Sequence, residues 1–232
     1  MTTAEVEMLE AADRGEIDQR AICISPETVE RMNTGLIDNI NAVVGTNDVL
    51  YHLGDVFWGH NFDAAKSIRD RINCRTIHHV RGNHDEPGIV SLFSSSEKYV
   101  EIIVQKQKIF LCHYPMRSWN NSHRGSWSLY GHVHGGLWER DKLGISPLEK
   151  AQLKSDFDSI LNEHAELSDT LIQKIAESNR NSLTLDVGVD THDYRPWSME
   201  EIRQELLPKT AHFDSKLLRE KNAYKLGSRK ND

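Results

Sequence analysis

Asp55, Asn83, His113, His132 and His134 offer carboxylate, amide and imidazole donors without one thiolate, a mixture that suits a divalent cation preferring oxygen and nitrogen. They fall in four short stretches: Gly54-Asp55, Gly82-Asn83-His84-Asp85, His113-Tyr114-Pro115 and Gly131-His132-Val133-His134. His132 and His134 would face opposite ways on a regular strand. Gly131 and Gly135-Gly136 instead predict an irregular loop in which both imidazoles turn toward one cluster. Taken singly, each stretch has a plainer reading. Gly-Asn-His-Asp suits a tight turn with a helix cap, Asp55 a cap, and His113 a hydrogen-bonded core histidine.

The elements around them repeat one rhythm. Ser25-Pro26 reads as an N-cap with proline at the first helical position, followed by Val29, Met32, Leu36, Ile40 and Val43 at helical spacing. Val49 to Leu53 is a buried strand ending at Gly54-Asp55, Ala64 to Ile72 a helix, and Thr76 to Val80 a strand running into Gly82-Asn83-His84-Asp85. Tyr99 to Val104 and Lys108 to Cys112 are strands, the second delivering His113, and Trp127 to Tyr130 delivers His132 and His134. Residues 143–180 read as an inserted helical pair, either a plain surface pair, a lid or a dimerisation arm. Ser182 to Val189 returns to strand, and Met199 to Leu206 is a helix capped by Ser198. Residues 4–13 suit a short, frayed surface helix. Candidate ligands thus sit where the carboxyl ends of strands open a crevice, the usual ligand site of α/β sheets.

This series, in this order, resembles the calcineurin-like metallophosphoesterase superfamily, closest to its small bacterial and phage-type members. The likeness runs from about Val29 to Pro196 and includes His113 to Trp119 and the late Val187-Gly188-Val189-Asp190. It implies a four-layer αββα sandwich with a helical insertion before the last strands. It also implies two divalent metal ions (Mn, Fe, Zn, Ni or Mg). By the same resemblance Asp55 bridges the metals, Asn83, His113 and His132 complete one site, and His134 serves the other. His84 is the implied phosphate-facing catalytic group, with Asp85 orienting it. The implied reaction is hydrolysis of a phosphomonoester or phosphodiester, a metal-bound hydroxide attacking phosphorus.

One motif of the family, an Asp-x-His at the end of a first strand, has no counterpart before Asp55. The expectation is a chain beginning downstream of that strand, one incomplete metal site and weak turnover. The alternative is a catalytically impaired metal-binding or regulatory relative. Arg117, His123 and Arg124 are the expected substrate contacts, with a solvated loop as the alternative. His52, His78 and His79 read as structural, His60 is left open, and Trp119 and Trp127 read as core in preference to pocket walls. Asp190-Thr191-His192 is Asp-x-His in the wrong chain order and reads as structural or substrate-adjacent.

Composition sets the outer bounds. The 232 residues, 38% hydrophobic and 27% charged, suit one domain. We expect that domain over residues 1–208, followed by a basic tail over 209–232. A net charge of −7 with dispersed Lys and Arg argues against an extended nucleic-acid partner. A small phosphorylated substrate, a nucleotide among the candidates, fits better, and a homo-oligomer is allowed. Cys23, Cys74 and Cys112 form no CxxC pair, which fits a reducing cytoplasm and excludes a thiolate zinc site. No apolar run approaches the roughly 20 residues of a membrane span.

Overall fold

The computed structural model describes residues 2–14, 16, 23–57, 61–137, 147–161, 165–180 and 182–210. The expectations for His60, residues 143–146 and the tail beyond 210 lie outside these residues.

Two sheets, flanked by helices, build the fold. In the first, β1 (Val49–His52), β2 (Thr76–Val80) and β3 (Ser95–Glu97) run parallel in that order. In the second, β4 (Tyr99–Val104) and β5 (Gln107–Cys112) form an antiparallel hairpin. There β6 (Trp127–Tyr130) and β7 (Thr184–Asp186) continue in parallel. The mixed α/β sandwich is the expected one. The strand β3 had no apolar signature, and β7 is shorter than expected: its strand ends at Asp186, and Val189–Thr191 is a 3-10 turn.

Parallel strands are covered on both faces, so they read as apolar runs. Val80, Tyr51 and Leu53 of the first sheet and its margin meet Ile109, Leu111, Leu129 and Leu185 of the second in the main core. On the first sheet, Ile40 of α2 (Pro26–Val43) packs with Val44, Leu50, Cys74 and Ile77. Ala65 and Ile68 of α3 (Phe62–Asp70) pack with Phe57, Ile89 and Leu92. The helix α1 (Thr3–Asp13) is not frayed at its start. Thr2 and Glu5 form a capping box, and the buried Glu5 carboxylate also accepts from the Ser25 amide at 2.7 Å and the Thr28 hydroxyl at 2.9 Å.

Residues 147–180 hold the expected helical pair, α4 (Pro147–Leu161) and α5 (Ala165–Arg180), joined by Ile172 against Leu153 and Phe157. The last helix, α6 (199–210), adds Ile202 and Leu206 to the main core. It runs past the expected end of the domain at 208. Thr210 accepts a hydrogen bond from the buried Trp127 indole at 2.8 Å, which ties this end of the helix to the core. Trp127 is core, as expected.

Ser198 caps α6 as expected, through a reciprocal pair. Its hydroxyl oxygen accepts from the Glu201 amide at 3.2 Å, while the Glu201 carboxylate accepts from the Ser198 amide at 2.8 Å. Glu201 also meets Arg195 at 2.8 Å and His192 at 3.2 Å. The Ser198 hydroxyl and amide, followed by Arg195 and His192, outweigh partial burial and hold the Glu201 carboxyl down at about 2. A lowered folded-state value stabilises above the ordinary 4.5 and fades as pH falls from there toward 2. Glu201→Gln is therefore expected to lower the melting temperature at pH 7 and to lose that deficit by pH 2, as thermal melts would check.

Candidate metal centre

The site begins with two glycine turns pressed together. Gly54 has φ +98°, in the left-handed region, and a Cβ there would lie 2.6 Å from both the Gly82 nitrogen and His113 Nδ1. A Cβ on Gly82 would lie 2.7 Å from the Asp55 nitrogen and 2.8 Å from His113 Cε1. Only chains without side chains at both points can bring the ends of β1 and β2 together against the His113 ring.

Asp85 locks that approach. Its Oδ2 accepts from the amides of Gly82 at 2.7 Å and Asp55 at 2.8 Å and from His79 Nε2 at 2.9 Å, and its Oδ1 accepts from the Val56 amide at 2.8 Å. Burial alone would raise its pKa. The His79 hydrogen bond and the Gly82 and Val56 amides outweigh that and hold the carboxyl far below its usual range. These four bonds give Asp85 a role in joining the loops that the sequence had not assigned to it. His52 assists on the same side, with its Nδ1 accepting from the Gly54 amide at 3.3 Å. Burial first, and the neighbouring His79 second, push its imidazole down to about 4, so it is neutral at physiological pH.

His113 hangs from the end of β5 and is buried to 1%. Its Nδ1 donates to the Leu53 carbonyl at 2.7 Å, a partner that can only accept, so the proton belongs on Nδ1 and the Nε2 lone pair faces inward. Around that Nε2 stand Asn83 Oδ1 at 3.1 Å, His132 Nδ1 at 3.1 Å and Asp55 Oδ2 at 3.3 Å. Lone pairs directed at one another across such distances repel unless positive charge lies between them. One proton could serve only part of this set, whereas a divalent cation satisfies all of it. The donor chemistry therefore fits a metal ion, with Asp55, Asn83, His113 and His132 as its ligands. Asp55 Oδ1 meanwhile accepts from the His84 amide at 2.9 Å, which fixes the carboxylate. Tyr114 packs edge-on against His113 and His132, each ring pair 4.8 Å apart.

The second half of the expected ligand set is arranged differently. The Gly131 to Gly136 stretch is irregular, as expected, with positive φ at His132 (69°) and His134 (49°). Only His132 turns into the cluster. The side chain of His134 is 77% exposed, and its Nδ1 pairs with Asp190 Oδ2 at 2.8 Å, which corrects the expectation that both rings converge. Asp186 anchors the loop from β7, accepting from the Gly135 amide at 3.1 Å and the Gly188 amide at 2.9 Å. It was missed, although a carboxylate placed after Leu183 and Leu185 and before Val187 was a visible signal. His192 stacks on Trp197 at 4.0 Å and meets Glu201 at 3.2 Å.

His84 and Asn83 are exposed, so the cluster opens to solvent on that side. Arg117, His123 and Arg124 lie on the exposed segment after β5, the last two in the 3-10 turn Ser122–Arg124. None of the three is tied down among the described residues. Trp119 is partly buried against the main core and donates to the Ser126 carbonyl at 3.1 Å. No helix among the described residues is long and apolar enough to cross a membrane.

A two-sheet sandwich that gathers oxygen and imidazole donors at its strand ends defines a metal-binding protein of the metallophosphoesterase type. The sequence matches the model of the calcineurin-like phosphoesterases over residues 29–190, and the chain belongs to that family. An uncharacterized protein of Methanocaldococcus jannaschii is 36% identical over 107 residues, covering 46% of this chain and 55% of the relative. The chain thus spans about half the length of that curated relative. A crystal structure of a protein of unknown function from Aquifex aeolicus aligns over 74% of this chain and 83% of its own, at 19% identity and a TM-score of 0.49.

Proposed function

We propose that the protein is a metal-dependent hydrolase of phosphomonoesters or phosphodiesters. The observation that carries this reading is the convergence of Asp55, Asn83 and His132 on the inward lone pair of His113. A divalent ion bound there would supply Lewis-acid charge for phosphoryl oxygens and lower the pKa of a coordinated water. The chain's own residues do the rest. Asp85 holds the Asp55 backbone and His52 that of Gly54, Leu53 fixes the His113 tautomer, and the exposed His84 would be the group that meets a phosphoryl oxygen or a leaving group. Arg117, His123 and Arg124 are available to meet further phosphate charge. The substrate we favour is small and phosphorylated, with nucleotides among the candidates, because a net charge of −7 disfavours long polyanions.

A second reading, a metal-binding relative with impaired turnover, draws on His134, whose ring pairs with Asp190 outside the cluster. Chromogenic mono- and diesters with added Mn²⁺ separate the two. Hydrolysis that falls at least about 100-fold in Asn83→Ala and in His84→Ala supports the enzyme. Flat traces with every metal, from protein shown to hold the ion, support the relative.

A further inference from the structure

His79 lies in β2, where its spacing of two residues from the buried Ile77 gives it the look of a core residue, and it is 0% exposed. Its neighbours on the rung are polar: the register places His52 of β1 on one side and Ser96 of β3 on the other. We propose that His79, backed by Ser96, is a positioning residue that sets the backbone presenting the Asp55 ligand. The consequence for catalysis rests on the functional reading above, but the consequence for the loops does not.

The chain of contacts is short and directional. His79 Nε2 meets Asp85 Oδ2 at 2.9 Å, the same oxygen that accepts from the amides of Gly82 and Asp55. To donate there from a neutral ring, Nδ1 must be an acceptor. The Ser96 hydroxyl, 2.9 Å away, supplies the matching donor. The opposite tautomer would aim an Nε2 lone pair at a carboxylate that can only accept, so Asp85 sets the tautomer and the Ser96 hydroxyl satisfies the Nδ1 lone pair that this leaves. Phe93 stacks on the ring at 4.6 Å, which resists rotation. The Asp85 side chain is 1% exposed, so solvent is a poor replacement for this donor if it is lost. A carboxylate short of one donor is then free to shift toward solvent, away from the amides of Gly82, Asp55 and Val56. Ser96, on a strand that carries no apolar signature, would thus support, through His79 and Asp85, a ligand three residues beyond the end of another strand.

The experiment measures amide exchange of Asp55, Val56 and Gly82 by NMR in the metal-free full chain, with Ile109 and Leu111 of β5 as internal reference, followed by Mn²⁺ titration. His79→Leu is expected to speed the three loop amides at least about tenfold relative to the reference. It is also expected to weaken Mn²⁺ binding about 10- to 100-fold. His79→Gln, which can still donate to Asp85, restores most of both, and Ser96→Ala falls between. Parental exchange in His79→Leu and Ser96→Ala would overturn the proposal. So would His79→Gln behaving like His79→Leu, since the loss would then be one of packing. If His79→Leu does not fold, Ser96→Ala against His79→Gln decides. If the parent takes up no Mn²⁺, the functional reading fails while the exchange comparison still stands.

Discussion

Gly82→Ala is expected to abolish metal binding while leaving most of the sandwich in place. The added Cβ would lie 2.7 Å from the Asp55 nitrogen and 2.8 Å from His113 Cε1, and neither is the end of a flexible chain. The conflict can be relieved only by moving the end of β1 away from β2 or by displacing the His113 ring. Either movement breaks the set around His113 Nε2. Overpacking of this kind costs about 1–3 kcal/mol. Because the steric load falls on the loops, most of the loss is expected at the site and less in the sheets. Titration with Mn²⁺ and a thermal melt of the same sample check both parts. Parental affinity in Gly82→Ala would mean that the close approach is not required.

His113→Ala has the second large expected effect. The ring joins three things: the Leu53 carbonyl through Nδ1, and Asp55, Asn83 and His132 through Nε2. Its removal deletes a ligand and leaves the Leu53 carbonyl without its donor, a loss of about 1–3 kcal/mol for a buried acceptor. Metal affinity is expected to fall by at least about 100-fold, beyond the usual loss for a residue that merely supports a ligand. His134→Ala provides the contrast. Its ring pairs with Asp190 outside the cluster, so the affinity of the first ion bound is expected to change by less than about threefold. Isothermal titration of the two variants checks the difference. Equal losses in both would contradict the assignment of ligands.

These expectations mark where the sequence was readable. The strand ends were legible because parallel strands buried on both faces appear as largely apolar runs, and a glycine follows at the end of the run or one residue beyond it. Trp127 to Tyr130 and Thr76 to Val80 are instances. Ser95–Glu97 was not legible, since three polar residues become a strand only through pairing with β2. The end of β7 was misread because Val187 and Val189 continue the alternation, whereas the Asp186 carboxylate takes the Gly188 amide and turns the chain.

The site divides along the same line. Residue types and glycine framing pointed to Asp55, Asn83, His113 and His132, whose convergence needs only that the strand ends be adjacent. The supporting contacts, His79 on Asp85 and Asp186 on Gly135, depend on register between strands distant in sequence, and no local pattern encodes that. His134 shows the limit from the other side. Glycines on either side of the loop allow many ring directions, and the carboxylate of Asp190, 56 residues away, selects the one adopted.

This chain is expected to hold a metal ion among Asp55, Asn83, His113 and His132. The most direct measurement is elemental analysis of protein loaded in turn with Mn²⁺, Fe²⁺, Zn²⁺ and Ni²⁺ and then dialysed. At least one equivalent is expected to be retained with one or more of these metals, and to be lost in His113→Ala. No retained metal under any loading condition would contradict it.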